Sequence, residues 1–177
     1  MSAVGVSLQS LSDFPEAPDV VEDGRTFLVN AMKKARSCFD ATGLPSLADD
    51  SGLEVDFLDG APGVYSARYA GAGGDYRANN RKLLEEMKGV PEDERTARFR
   101  CVVALVDEDG EDWVEGIVDG FVLEECRGDS GFGYDPVFYV PVKDRTFAEM
   151  SSEEKNAISH RGIAFRKAAE MLANRRK

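Results

Sequence analysis

Three short stretches hold side chains able to do chemistry. In "LADDSGLEV", residues 47–55, Asp49 and Asp50 stand side by side in what otherwise reads as a buried strand, followed by Ser51 and Gly52. A carboxylate removed from water is costly without partners, so this pair needs some. Neighbouring side chains of a strand point to opposite faces. One acid can therefore face a cleft, holding a cation or orienting a water, while the other bonds backbone or a basic group behind it. Mg²⁺ suits such a place, since it takes oxygen ligands and is held by few carboxylates plus substrate phosphates. Taken alone, the same residues also fit a solvated turn.

The second stretch is "GFGYDP", residues 131–136. Gly131 and Gly133 let backbone approach a ligand closely. Phe132 and Tyr134 can offer a platform to a flat base, or pack into the core as aromatics mostly do. Asp135 can accept from base N–H groups. The third is "EKNAISHRG", residues 154–162, with Lys155, His160 and Arg161. His160 is the only histidine, which excludes a His-rich metal site. There is no G-x-S-x-G elbow for a Ser-His-Asp hydrolase and no G-x-x-x-x-G-K-[ST] phosphate loop.

The elements that must position these residues follow from periodicity. Phe27, Ala31, Ala35 and Cys38 recur at helical spacing after Thr26, and Gly43 and Pro45 end the helix. Residues 12–24 read as an acidic surface loop and residues 59–74 as a long Gly-rich loop. Leu83, Leu84 and Met87 mark a second helix. Residues 96–125 read as a hairpin around "DEDGED", with Ala104, Val106, Trp113 and Val122 expected in the core. Ser151 with Glu154 makes a capping-box pattern, and Ser159 is placed to cap a further helix with Phe165, Ala168, Ala169 and Leu172 as its buried stripe. Helices and strands alternate, so the fold class is α/β or α+β.

Composition bounds the rest. A chain of 177 residues, 42% hydrophobic and 31% charged, suits one soluble domain over 1–177. The formal net charge of −11 argues against a nucleic-acid polymer as partner, though not against a small anionic ligand. No apolar run approaches a membrane span, and the start, "MSAVGVSLQSLSDF", has no basic segment followed by an apolar one as an export signal would, so a cytoplasmic location is expected. Cys38, Cys101 and Cys126 are odd in number and widely spaced, and are expected as small core residues in a reducing compartment.

Several long stretches together resemble one family, the inosine/xanthosine triphosphate pyrophosphatases. They are "TFLVNAMKKAR", "LADDSGLEVDFLDGAPGVYSARYAG", "RFRCVVALV", "GFGYDPVF" and "EEKNAISHRGIAFRK", in the family's order from Thr26 onward. The resemblance implies a mixed sheet with helices, in two lobes around a deep nucleotide cleft. It implies a homodimer, Mg²⁺ dependence, and hydrolysis of dITP, ITP or XTP to the monophosphate and pyrophosphate. By position, Asp50 is the metal ligand and base for the attacking water, with Asp49 in support and Ser51 on the substrate. Phe132, Gly133, Tyr134 and Asp135 form the base-binding segment, and Lys155, His160 and Arg161 contact the nucleotide.

Two departures stand beside it. Family members begin with a strand and a Gly-Asn-x-x-Lys-type phosphate loop. Here residues 3–14 match the family's second strand, so the chain is expected to be N-terminally short. Val29 stands where the family has a metal-binding Glu, with Glu22 or Asp23 as candidate replacements. Both departures leave open a binding-only relative that keeps the base pocket without turnover.

Overall fold

The computed structural model describes residues 7–71 and 74–175. Helix α1, Phe27–Thr42, begins where Thr26 Oγ1 accepts the Val29 N–H at 3.2 Å. It ends at Gly43, whose φ of +64° costs a glycine nothing sterically. Phe27, Asn30, Ala31 and Ala35 form its buried stripe. Helix α2, Tyr76–Glu86, is capped by Asp75 and buries Leu83, with Met87 just beyond it.

Among the described residues five strands make one sheet, in chain order and in spatial order alike. They are β1 (Ser46–Val55), β2 (Thr96–Asp107), β3 (Gly110–Val122), β4 (Phe138–Val140) and β5 (Arg145–Thr146). The α/β class is borne out. Among the described residues every strand pair is antiparallel, where the resemblance implied mixed directions. Each strand pairs with the next in sequence, and the expected hairpin joins β2 to β3 through Glu108 and Asp109. Parallel neighbours would each need a crossover instead.

Two helices cover opposite faces of the sheet. Val102, Ala104 and Val106 pack with Phe27, Ala31 and Ala35 of α1. Cys101 and Val103 pack with Ala164 and Ala168 of α4, His160–Arg175. This double cover is why "CVVALV" reads as an unbroken apolar run rather than an alternating one. The remaining core joins Leu53, Phe99, Val122, Phe138 and Phe147 with Leu83 and Met87.

Ser151 makes the expected capping box with Glu154 at the start of α3, Ser152–Ile158. Ser159 Oγ accepts the Gly162 N–H at 3.1 Å, so it caps α4 as expected. The α4 stripe is centred on Ala164 and Ala168, with Phe165, Ala169 and Leu172 only half-buried.

Three expectations are corrected. Trp113 is 44% exposed, because α1 lies over β1 and β2 and leaves this end of β3 uncovered. Cys126 is exposed and Cys38 half-buried, so only Cys101 is a core cysteine. From Ser7 to Phe14 the expected strand does not form, Leu11–Asp13 being a 3₁₀ turn; residues 3–6 lie outside the described part. Among the described residues no helix is long and apolar enough to cross a membrane.

Candidate active site

The two acids of β1 part as strand geometry requires. Asp50 faces α1. Its Oδ2 accepts from Asn30 Nδ2 at 3.0 Å and its Oδ1 from Lys34 Nζ at 3.4 Å. Lys34 also reaches Glu22 Oε1 at 3.2 Å, so one ammonium bridges two carboxylates. Burial pushes the Asp50 carboxyl above the usual range. Lys34 and Asn30 pull it back, and the nearby charge of Glu22 pushes the same way as burial.

The Glu22 segment is held in place. Asn30 Oδ1 accepts the Gly24 N–H at 2.8 Å, Lys33 donates to the Val21 carbonyl at 2.8 Å, and Arg68 donates to the Glu22 carbonyl at 3.0 Å. Asp23 is taken by Lys33 at 2.7 Å, which leaves Glu22 as the carboxylate that faces Asp50. Val29 is exposed in the first turn of α1 and offers no oxygen here.

Asp49 faces the other way, toward α4. Arg161 Nη2 meets its Oδ2 at 3.0 Å. An ion pair this exposed adds no more than about 1 kcal/mol of stability, so its effect is positional. It draws the guanidinium over the Phe132 ring, 5.7 Å from the centroid. Ser51 shares this face by alternation and lies opposite Cys101 of β2. Among the described residues β1 is an edge strand, and a cavity of about 1280 Å³ lies against its start, Ser46 to Asp49, touching Glu22 and Lys34 on one side and Arg175 on the other.

The loop of residues 131–135 divides its side chains. Phe132 is half exposed, with Lys155 Nζ 4.5 Å from its ring centroid. Gly133 follows with φ +62°, its carbonyl held by Asn80 Nδ2 at 2.8 Å. Tyr134 is buried, and its hydroxyl donates to the Ser66 carbonyl at 2.9 Å. Asp135 is turned inward, accepting from the Phe132 N–H at 2.7 Å and Lys155 Nζ at 2.5 Å. Burial raises its carboxyl, and Lys155 opposes the rise. Of the four, Phe132 is therefore the one aimed at solvent; Asp135 and Tyr134 hold the loop that presents it.

The chain matches the Ham1 family over residues 1–171. It belongs to that family. A dITP/XTP pyrophosphatase of Desulforamulus reducens is 55% identical over 169 residues, covering 95% of this chain and 84% of the relative. One from Geobacter sulfurreducens is 55% identical over 159 residues, covering 89% and 80%. Among solved structures, the Staphylococcus aureus Ham1 protein superposes with a TM-score of 0.89 at 40% identity, covering 93% of this chain and 85% of that one. A nucleoside-triphosphatase / dITP/XTP pyrophosphatase from Mycobacterium abscessus gives 0.82 at 44% identity, covering 97% and 89%.

Within this Ham1-family fold, His160 differs from a surface donor. Its ring is 5% exposed and stacks on Phe99, centroids 4.6 Å apart and planes 6° from parallel. Nδ1 is buried with no partner. Burial, with Arg161 and Lys155 adding, lowers its pKa to about 3 from 6.5. Between those values the unfolded chain binds the proton and the folded one does not. This contribution to stability is complete above pH 6.5 and is lost as pH falls toward 3, by up to about 1.4 kcal/mol per pH unit. His160→Gln should therefore lose about 1–2 kcal/mol less than the wild type between pH 7 and pH 5. Urea unfolding at both pH values measures this, and equal losses would mean that the imidazole takes a proton in place.

Sequence reasoning missed Asn30 and Lys34. Their signal was present as an i, i+4 pair on α1, with a polar Asn inside the buried stripe beside Ala31.

Proposed function

We propose that this chain is a single-domain hydrolase that cleaves non-standard purine nucleoside triphosphates (dITP, ITP, XTP) to the monophosphate and pyrophosphate, and so cleanses the nucleotide pool. The observation that carries this reading is its high identity to dITP/XTP pyrophosphatases along nearly its whole length. Two half-sites support it: a desolvated carboxylate beside an ammonium, and an exposed aromatic ring beside two cations.

In this reading the base stacks on Phe132. Hypoxanthine and xanthine carry an acceptor oxygen where adenine carries a donor. Lys155 and Arg161 stand over the Phe132 ring and can address it, and His160, next to Arg161 in the chain, has an unpartnered Nδ1. A buried donor left unpaired is costly, which is how such a site rejects adenine. Asp50 takes the proton of the attacking water as the new P–O bond forms and the bond to the pyrophosphate oxygen breaks. Lys34 stands beside it to offset phosphate charge. Ser51 contacts the substrate as the resemblance implies.

Mg²⁺ fits this donor set in one way. Among the described residues no three or more His, Cys, Asp or Glu gather as a complete cage. Asp50 and Glu22 supply two hard carboxylates on one ammonium, and Mg²⁺ is commonly held by one or two carboxylates together with substrate phosphates. When bound, it would offset the charge of the triphosphate. We place the protein in the cytoplasm, as a homodimer for which the uncovered end of β3 with Trp113 offers apolar surface.

The test is pyrophosphate release with Mg²⁺ from dITP, XTP, dATP and dGTP. dITP and XTP should exceed dATP by at least about 10²-fold in kcat/KM. No release from any of them sinks the enzymatic reading; equal rates on dITP and dATP sink the base-side assignment.

A further inference from the structure

Two large aromatic rings stand side by side, half in water. Phe132 is 50% exposed and Tyr76 47%, with centroids 6.3 Å apart and planes 50° from parallel. They arrive from distant parts of the chain, Tyr76 as the first residue of α2 and Phe132 from the Gly-rich loop. One buried residue fixes their relation. Asn80 Nδ2 donates to the Tyr76 carbonyl at 3.0 Å and to the Gly133 carbonyl at 2.8 Å. Asn80 Oδ1 is left buried without a partner, a cost that the two tethering bonds must offset.

Tyr76 has no bond of this kind for its own hydroxyl among the described residues, unlike Tyr69, Tyr134 and Tyr139. The Phe132 ring already carries two cations, Lys155 and Arg161. What the exposed Phe132 ring lacks for gripping a flat base is a second apolar wall, and Tyr76 beside it supplies one. The 50° opening makes a wedge rather than a sandwich. A purine lying on Phe132 would bring its edge against Tyr76.

We propose that Tyr76 is the second wall of the purine site and sets affinity for the substrate base. This rests on the function proposed above. Tyr76 is not among the hydrogen-bond or ion-pair partners of Asp50 and Lys34, so it acts on binding and not on the chemical step. Its ring is half exposed at a helix terminus, so replacing it leaves the fold intact.

The experiment compares wild type, Tyr76→Ala and Tyr76→Phe in two measurements. One is the kcat and KM of pyrophosphate release from dITP; the other is direct titration with the product dIMP. Tyr76→Ala should raise KM about tenfold and weaken dIMP to a similar extent, with kcat within about twofold. Tyr76→Phe should stay close to wild type. Unchanged KM and dIMP affinity in Tyr76→Ala overturn the proposal, as does a fall in kcat at constant KM. A wild type that binds dIMP but releases no pyrophosphate overturns the enzymatic reading instead, and the dIMP titration then decides the role of Tyr76 alone. A wild type that neither binds dIMP nor releases pyrophosphate overturns both.

Discussion

Asp50→Asn is expected to lower dITP turnover by at least about 10²-fold while leaving the fold in place, since losing a positioned general base typically costs 10²–10⁴-fold. The amide cannot take a proton from water, and it is a poor ligand for a hard cation. Stability should change little, for two opposing reasons. Desolvation already disfavours the charged form of Asp50, so removing the charge relieves a cost. The bond from Asn30 survives, because an amide oxygen can accept from its Nδ2 as the carboxylate does. The ion pair to Lys34 is lost, but at 3.4 Å it is loose, and Lys34 keeps Glu22. Pyrophosphate release and a thermal unfolding curve check both halves. Turnover near wild type would move the base to another residue, and collapse of the fold would make Asp50 a structural group.

Gly52→Ala is the second large effect, and it explains why the glycine stands in "DDSG". A β-carbon at this position would lie 2.4 Å from Ser66 Oγ, 2.5 Å from the Gly63 carbonyl oxygen and 3.0 Å from Phe27 Cε1. Such distances force something to move. The serine cannot give way freely, since its hydroxyl accepts the Leu53 N–H at 2.9 Å and donates to the Gly63 carbonyl at 2.6 Å. Overpacking of this kind costs about 1–3 kcal/mol, and more where backbone must shift. The displacement also reaches the site. Ser66 carries the Tyr134 hydroxyl on its carbonyl, so β1 and the loop bearing Phe132 are joined through it. A lower urea midpoint together with reduced turnover is expected. An unchanged midpoint would show that the contact yields without cost.

Much of the framework was legible because its causes are local. Thr26 and Gly43 bound α1, Ser151 and Glu154 close a capping box, and Ser159 restarts the chain as α4, all through bonds spanning a few residues. The hairpin around Glu108 and Asp109 is equally local. Trp113 was misjudged because its burial depends on what lies above β3, and α1 stops short of it. No periodicity along β3 carries that information.

The site divides along the same line. The sequence by itself determined that Asp49 and Asp50 face opposite ways, because side chains alternate along any strand. It also determined, through long motifs in register, that the chain resembles the pyrophosphatase family. Only the tertiary structure decided which acid meets which partner. It brought α1 over one face, giving Asp50 Asn30 and Lys34, and α4 over the other, giving Asp49 Arg161. It turned Tyr134 and Asp135 inward and left Phe132 outward beside Tyr76. The physical reason is that burial and pairing depend on elements far apart in the chain, whereas alternation and capping are settled by the backbone of neighbouring residues.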